Sequence, residues 1–199
     1  MSLISDLYKI KKKDIKKAAN VLANAFSEDP MWKKIFKEED KYRVISEMMA
    51  RFSLKYGNVF STSDNLEGVM AILSHDKDLT AWRIIRSGAF FLSMKLLSVM
   101  KTMKPVGKAI KEEKKNLNIG PYIYLLIIGV SQEFQGKGFG GKMLRALIEK
   151  AENEGKSIYL ETQIEKNVKL YEKYGFYVFK KMNLPVLNLS MWLMVRNSN

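Results

Sequence analysis

The sequence has no cysteine and a single histidine, His75, in 199 residues. The first absence excludes a disulfide framework, a thiolate zinc site and a cysteine nucleophile. The second leaves too few imidazoles for a histidine-rich metal centre and disfavours a Ser-His-Asp triad. No metal site is expected. Internal repeats and low-complexity tracts are also missing. The longest apolar stretches, around Ala89 to Met103 and Tyr122 to Val130, are interrupted by Lys95 or fall short of the ~20 residues that span a bilayer. The opening residues, Met1 to Asp6, lack a basic region followed by an apolar one. A cytoplasmic protein with no membrane partner is therefore the expectation.

What remains is 47% hydrophobic, enough for one compact domain with a real core. Acidic residues are the scarce charge: 21 Asp+Glu face 34 Lys+Arg, a formal +13. Such an excess favours an anionic partner, whether nucleic acid, acidic lipid or a phosphorylated cofactor. Composition does not choose among them.

The first third reads as helical. After a short strand candidate, Leu7 to Ile10, Asp14 is placed to cap a helix from Ile15 to Phe26. Pro30 restricts its predecessor to extended geometry and should break the helix. A second helix is expected from about Lys41 to Tyr56. Strand candidates follow at Asn58 to Thr62 and Gly68 to Leu73. Leu79 to Met103 is long, apolar and methionine-rich with helical spacing, so residues 79–115 read as a helical insertion. It is either a lid over an apolar substrate or ordinary packing with Met as gap filler. From Tyr122 the pattern alternates: strand to Val130, helix Gly140 to Glu154, strand Ser157 to Thr162, helix Glu165 to Tyr174. Two closing strands, Phe176 to Met182 and Leu187 to Arg196, complete an α/β pattern with some antiparallel pairing.

The most informative stretch joins that strand to its helix: Gln135-Gly136-Lys137-Gly138-Phe139-Gly140-Gly141-Lys142. Glycines entering a helix leave backbone N–H groups free to converge on an anion, and the helix dipole adds positive potential. Three phosphate loops come near this string. A nucleoside-triphosphate P-loop fails because Met143 stands where Ser or Thr would hold magnesium. The dinucleotide fingerprint Gly136-x-Gly138-x-x-Gly141 matches in letters, and Glu161 even falls 20 residues later. It fails on context, since five residues separate the strand from the first glycine and too little chain follows for further βα units.

The third fits. Gln135-Gly136-Lys137-Gly138-Phe139-Gly140 resembles motif A of the GNAT acyltransferase superfamily, Gln/Arg-x-x-Gly-x-Gly/Ala. A second segment, Asn167-Val168-Lys169-Leu170-Tyr171-Glu172-Lys173-Tyr174-Gly175-Phe176, is similar to that family's Asn-x-x-Leu-Tyr-x-x-x-Gly-Phe. The resemblance covers about residues 120–182. Weaker likeness at Ala25 to Trp32, Gly68 to Leu73 and Met191 to Arg196 looks like the subgroup of puromycin N-acetyltransferase-like proteins.

The resemblance implies a GNAT-like acyl-CoA N-acyltransferase fold, a mixed central sheet flanked by helices, in a single domain over residues 1–199. It implies transfer of an acetyl group from acetyl-CoA to a primary amine of a small molecule, by a monomer or homodimer. Cofactor contacts would then fall on Gly129, Val130, Gln135, Gly136, Lys137, Gly138, Phe139, Gly140, Gly141, Lys142, Asn167 and Lys173. Asn167 and Tyr171 are four apart and share a helix face. A tyrosine hydroxyl, pKa ~10, can protonate a thiolate near ~8.5, which makes Tyr171 the general-acid candidate. Core packing with Leu170 and Tyr174 is its other reading.

Many family members carry Glu on the strand before the loop, and Tyr122 to Ile128 here has no carboxylate. Glu161 is the remaining candidate base, acting through a water that Tyr122 or Tyr124 could anchor; a structural salt bridge explains it equally well. Glu28 and Asp29 could attract a cationic amine, though turn chemistry also accounts for them. His75 reads as a loop residue. Two other functions stay open: a basic nucleic-acid-binding module, disfavoured because the lysines lie in scattered runs without a known motif, and a CoA-binding sensor without turnover. The runs Lys11 to Lys17 and Lys101 to Lys115 have no account in any of these.

Overall fold

Alternation along the strands builds a sheet with two apolar faces. The computed structural model describes residues 3–38 and 40–198; Met1 and Ser2 of the opening stretch lie outside the described residues. Seven strands form one mixed sheet: β1 (Tyr8–Lys9), β2 (Gly57–Ser61), β3 (Gly68–Ser74), β4 (Tyr122–Val130), β5 (Ser157–Thr162), β6 (Tyr177–Leu184) and β7 (Leu189–Arg196). Their spatial order is β1-β2-β3-β4-β5-β7-β6. β4 and β5 run parallel, and the other neighbouring pairs are antiparallel.

Val59, Val69, Ala71 and Leu73 point to one face, under α1 (Ile15–Ala25) and α3 (Asp40–Tyr56). Tyr159, Leu193 and Val195 continue that face beneath Val106. The alternate residues Phe60, Met70, Ile72, Ile158, Leu160 and Met194 point oppositely, under α7 (Phe139–Asn153) and α8 (Glu165–Glu172). This is the period-2 logic of a sheet buried on both sides.

Three local expectations are corrected. Asp14 does not cap α1. Its carboxylate accepts from the Lys11 N–H and the Tyr8 hydroxyl, both at 2.9 Å, and so closes the preceding turn. α1 stops at Ala25, with Phe26 as its C-cap, before Pro30 is reached, and Pro30 starts another helix. It opens the short α2 (Pro30–Ile35), where its missing N–H costs nothing and Asp29 serves as cap. The expected helical run beyond Leu79 is broken into α4 (Ala81–Ile84), a π-turn over Ile85–Ala89 with Gly88 at φ 77°, α5 (Phe90–Lys95) and α6 (Leu97–Lys115).

The feature that positions the site lies in β4. Its register against β3 shifts between Ala71/Ile72, which leaves Leu126 as an extra residue. A one-residue bulge bends the strand and reverses which side chains face which side. Accordingly Ile123 and Leu125 join the α7 face, whereas Ile127 joins the α1–α3 face. Parallel pairing with β5 reaches only to Tyr124↔Tyr159. The strands part there, and the β5-facing edge of Leu125 to Val130 is left open.

Candidate functional site

The loop after β4 is held from below and open above. Asn24 on α1 fixes its start: Oδ1 accepts from Ser131 Oγ at 2.8 Å and from the Gln132 N–H at 2.7 Å. Gln132 Nε2 donates to Ser27 Oγ at 2.8 Å, and Gln135 Nε2 donates to the Val130 carbonyl at 3.1 Å. Gly136 and Gly138 adopt φ values of 75° and 86°, and nothing lies within 4 Å of where their Cβ atoms would sit. Gly138 stands at the N-cap of α7. The N–H groups of Phe139, Gly140 and Gly141 open that helix, where no carbonyl of the same helix can accept them. Glycine is needed at position 129 for a different reason. A Cβ there would lie 2.8 Å from Ala25 Cβ and 3.1 Å from the Phe26 ring, so β4 passes α1 only without a side chain.

Three cavities meet where β4 and β5 part. The first, about 590 Å³, runs beside the loop between α1 and α8. Among its walls are Glu28, Asp29, Gly129, Val130, Gln135, Gly140, Gly141, Asn167 and Tyr171. The second, about 190 Å³, occupies the cleft itself and shares Asn167, Tyr171 and Asp29 with the first. Its floor is Tyr124 to Ile128, and Trp32, Met103, Ile110 and Met191 close it. The third, about 470 Å³, opens on the other side and shares Tyr124, Ile110 and Glu161 with the second. Tyr122, His75 and Lys114 line it.

Glu161 sits at the junction of the second and third cavities. Its two oxygens accept from different tyrosines, Tyr124 and Tyr159, each at 2.8 Å. These partners face each other as a registered pair across β4 and β5, so the sheet itself aims both hydroxyls at one carboxylate. Burial first, then the neighbouring carboxylate, pushes both phenols up. Lys114 on α6 reaches over the Tyr124 and Tyr159 rings, 4.3 and 4.7 Å from their centroids. Its burial lowers the ammonium's pKa, partly opposed by the field of Glu161. Tyr171 is buried between the first two cavities, and burial pushes its phenol up to about 12.

Several sequence-predicted residues stand apart from this junction or have other partners. Lys142 Nζ donates to the Thr62 carbonyl at 3.0 Å. Lys137 lies over the Phe134 ring at 5.3 Å, and the Phe139 ring meets Phe134 edge-on. Lys173 is exposed just past α8. Glu28 is exposed and paired with Lys33. Asp29 is buried with Oδ1 accepting from the Met31 and Trp32 N–H groups at 2.9 Å, and burial raises its pKa. Of the three cavities Tyr122 lines the third alone, where its ring meets those of Tyr159 and His75. Sequence reasoning missed Tyr159, Lys114, Asn24 and Trp32. For Tyr159 a signal existed: it lies two residues before Glu161 on the same strand face.

Comparison with known proteins agrees with this geometry. Residues 73–176 match the model of the Acetyltransferase (GNAT) family. An uncharacterised N-acetyltransferase of Schizosaccharomyces pombe is 27% identical over 186 residues, spanning 84% of this chain and 72% of that one. Among solved structures, arylalkylamine N-acetyltransferase 2 from Aedes aegypti superposes with a TM-score of 0.70 at 15% identity, over 97% of this chain and 98% of that chain. A protein described as histone acetyltransferase HPA2 and related acetyltransferase, from Corynebacterium glutamicum, gives 0.67 at 18% identity, over 100% and 98%. The two structural matches establish likeness of fold.

Proposed function

The chain belongs to the acetyltransferase (GNAT) family and acts as an acetyl-CoA-dependent N-acetyltransferase, and from that premise we propose that its acceptor is a primary amine of a small molecule, attacked directly in the cleft between β4 and β5. The observation that carries this reading is the meeting of three cavities at that cleft. The middle one, about 190 Å³, admits a small reacting group.

The loop suits a pyrophosphate, because its glycines leave open space over N–H groups at a helix N-terminus. Gly136, Gly138, Phe139, Gly140 and Gly141 would hold it through their amides, with Lys137 nearby; the Gln135 N–H donates to the Gln132 carbonyl at 3.2 Å and would join only by leaving it. Lys142 would contribute only by leaving Thr62, and Lys173 from its exposed position just past α8. The open edge of β4 at Gly129 and Val130 would pair with the amide-bearing arm as an added strand, and Asn167 would donate from α8. Bound there, acetyl-CoA supplies an activated thioester.

The chain's own groups account for the proton traffic. An aliphatic amine with a pKa of about 10 arrives charged. Tyr124, donating to Glu161, keeps its oxygen lone pairs for that ammonium; as a proton passes to Tyr124 Oη, its own proton passes to Glu161 Oε2. Tyr159 fixes the other carboxylate oxygen. The Val130 N–H would polarise the thioester carbonyl. Tyr171, with its proton held to about pH 12, donates a hydrogen bond to the departing sulfur. Full transfer to a thiolate near 8.5 runs uphill by roughly 5 kcal/mol, so its service is charge stabilisation; the second nitrogen proton, shed as the adduct collapses to the amide, is the one that neutralises the thiolate. Asp29, already capping α2, adds negative potential beside the cleft, and Glu28 does so from the rim.

Thiol release from acetyl-CoA across a panel of amines tests the reading. Wild type is expected to turn over at least one small primary amine, and Gly138→Asp to abolish acetyl-CoA binding by clash and repulsion. Tight CoA binding without turnover on any amine would replace it with a sensor. Retention on DNA or RNA that excess CoA does not weaken would favour the nucleic-acid alternative.

A further inference from the structure

The lipid-like side of this molecule is the helical stretch between β3 and β4. Seven of the twelve exposed large apolar residues among the described residues fall between Leu79 and Leu97. Phe91 is 78% exposed, Trp82 65% and Leu97 61%; Ile85, Phe90 and Met94 are exposed beside them in sequence. The segment also has an inner apolar face. Ile84, Ala89 and Leu96 are buried against the core that includes Met48 and Phe52 of α3. A helix apolar on both sides is normally covered on both sides, and here only the inner one is. Exposed apolar side chains concentrated in one segment, with the Phe90 and Phe91 rings in contact, point to an interaction site.

Charge says what kind. From Leu79 to Lys111 the chain has no Asp or Glu and seven Lys or Arg. Arg86, Lys95, Lys101, Lys104 and Lys108 are all exposed. A second copy of this chain docking by the same face would bring those charges against themselves, which disfavours a two-fold pairing. Aromatic and aliphatic side chains interspersed along the chain with exposed basic ones, as where Arg86 lies over the Trp82 ring, suit an anionic bilayer surface, where rings enter the headgroup boundary and ammonium groups meet phosphate. No described helix is long and apolar enough to cross a membrane, so the contact would be along the surface.

We propose that the face built by α4, α5 and the start of α6 is a docking surface for membranes rich in anionic phospholipid. The contact lies on the α1–α3 side of the sheet, opposite α7 and the glycine loop. It therefore leaves the loop open while the protein is bound.

Co-sedimentation of the full chain with vesicles tests this. One set is phosphatidylcholine alone, the other carries about a quarter phosphatidylserine, and partitioning into the second should be at least about tenfold stronger. Binding should weaken as salt shortens the Debye length from ~10 Å at 0.1 M. The double variant Phe91→Ser, Leu97→Ser should lose binding to both sets, and Lys101→Glu, Lys104→Glu should lose the preference for phosphatidylserine. Both keep the wild-type melting curve, since these side chains face solvent. Equal partitioning into the two sets at low salt, or none into either, overturns the proposal. So does concentration-dependent self-association that Phe91→Ser, Leu97→Ser abolishes without any vesicle binding by wild type; that result would assign the face to a second copy.

Discussion

At the scale of single residues, the site is a set of side chains whose protonation is set by what surrounds them. Glu161 is the test case, because its two tyrosine partners explain it structurally and the cavity junction explains it chemically. If it collects the amine proton, Glu161→Gln should lower kcat/KM roughly a hundredfold near pH 7. Its rate should then climb about tenfold per pH unit toward the amine's own pKa near 10, as free amine replaces ammonium. An unchanged level and profile across pH 6 to 10 would leave Glu161 as a brace for Tyr124 and Tyr159. Tyr171→Phe removes one hydrogen-bond donor and little volume, so kcat should fall on the order of a hundredfold with KM nearly constant; equal loss in KM alone would assign Tyr171 to packing. Asp29 gives a stability prediction. Burial raises its pKa, so its contribution is complete below its unfolded value of about 3.9 and lost as pH rises through the higher folded value. At pH 7 the wild type bears a buried charge that Asp29→Asn lacks, while Asn keeps the cap. Urea midpoints should therefore be equal or higher for Asp29→Asn at pH 7, with the gap closing below pH 4. Asp29→Ala should lose about 1 kcal/mol below pH 4, where only the cap is removed, and no more than that at pH 7, where the buried charge goes with it. An Asn variant clearly weaker than wild type at pH 7 would contradict the assignment.

At the scale of elements, one extra residue decides where the site is. Leu126 bulges out of β4, turns the strand from β5 and opens the edge that ends in Gly129 and Val130. Alternation fails across it, and this is why a strand was legible from Tyr122 to Val130 but its geometry was not. The loop and the helix after it were legible because their requirements are local: positive φ at Gly136 and Gly138, free N–H groups at a helix start. Of the carboxylate's partners, Tyr124 was legible as a neighbour but reaches Glu161 directly rather than through a water, and Tyr159 was not, because the two tyrosines meet only through a cross-strand register between segments 35 residues apart. Asp29-Pro30 was misread for a simpler reason: a pair read as a helix breaker is the cap and first residue of another helix, after α1 has already ended at Ala25. The α1–β4 contact allows an element-level prediction. Gly129→Val would place its Cβ 2.8 Å from Ala25 and force α1 away from β4. Overpacking of this kind costs roughly 1–3 kcal/mol, and moving α1 also moves Asn24 from the loop it pins. The urea midpoint should drop and acetyl-CoA affinity with it. Lost stability with intact affinity would show that the loop holds its shape without α1.

At the scale of the whole molecule, part of the +13 charge lies in the segment from Leu79 to Lys111, which has seven Lys or Arg and no acidic residue. CoA held at the glycine loop, as proposed, would give Lys137 a reason but none to the stretch from Leu79 to Lys111, which packs on the other face of the sheet. If each face has its own anion, the two should be occupied together. At fixed ionic strength, saturating CoA should leave the fraction of protein on phosphatidylserine-containing vesicles unchanged, and vesicles should leave CoA affinity unchanged, because linkage between sites is reciprocal. A single shared anionic site predicts the opposite, with CoA stripping the protein from vesicles in proportion to its own binding. Isothermal titration of CoA with and without vesicles measures the coupling directly. An affinity ratio near one assigns the basic segment a ligand of its own, and a ratio far from one places both anions on the same lysines.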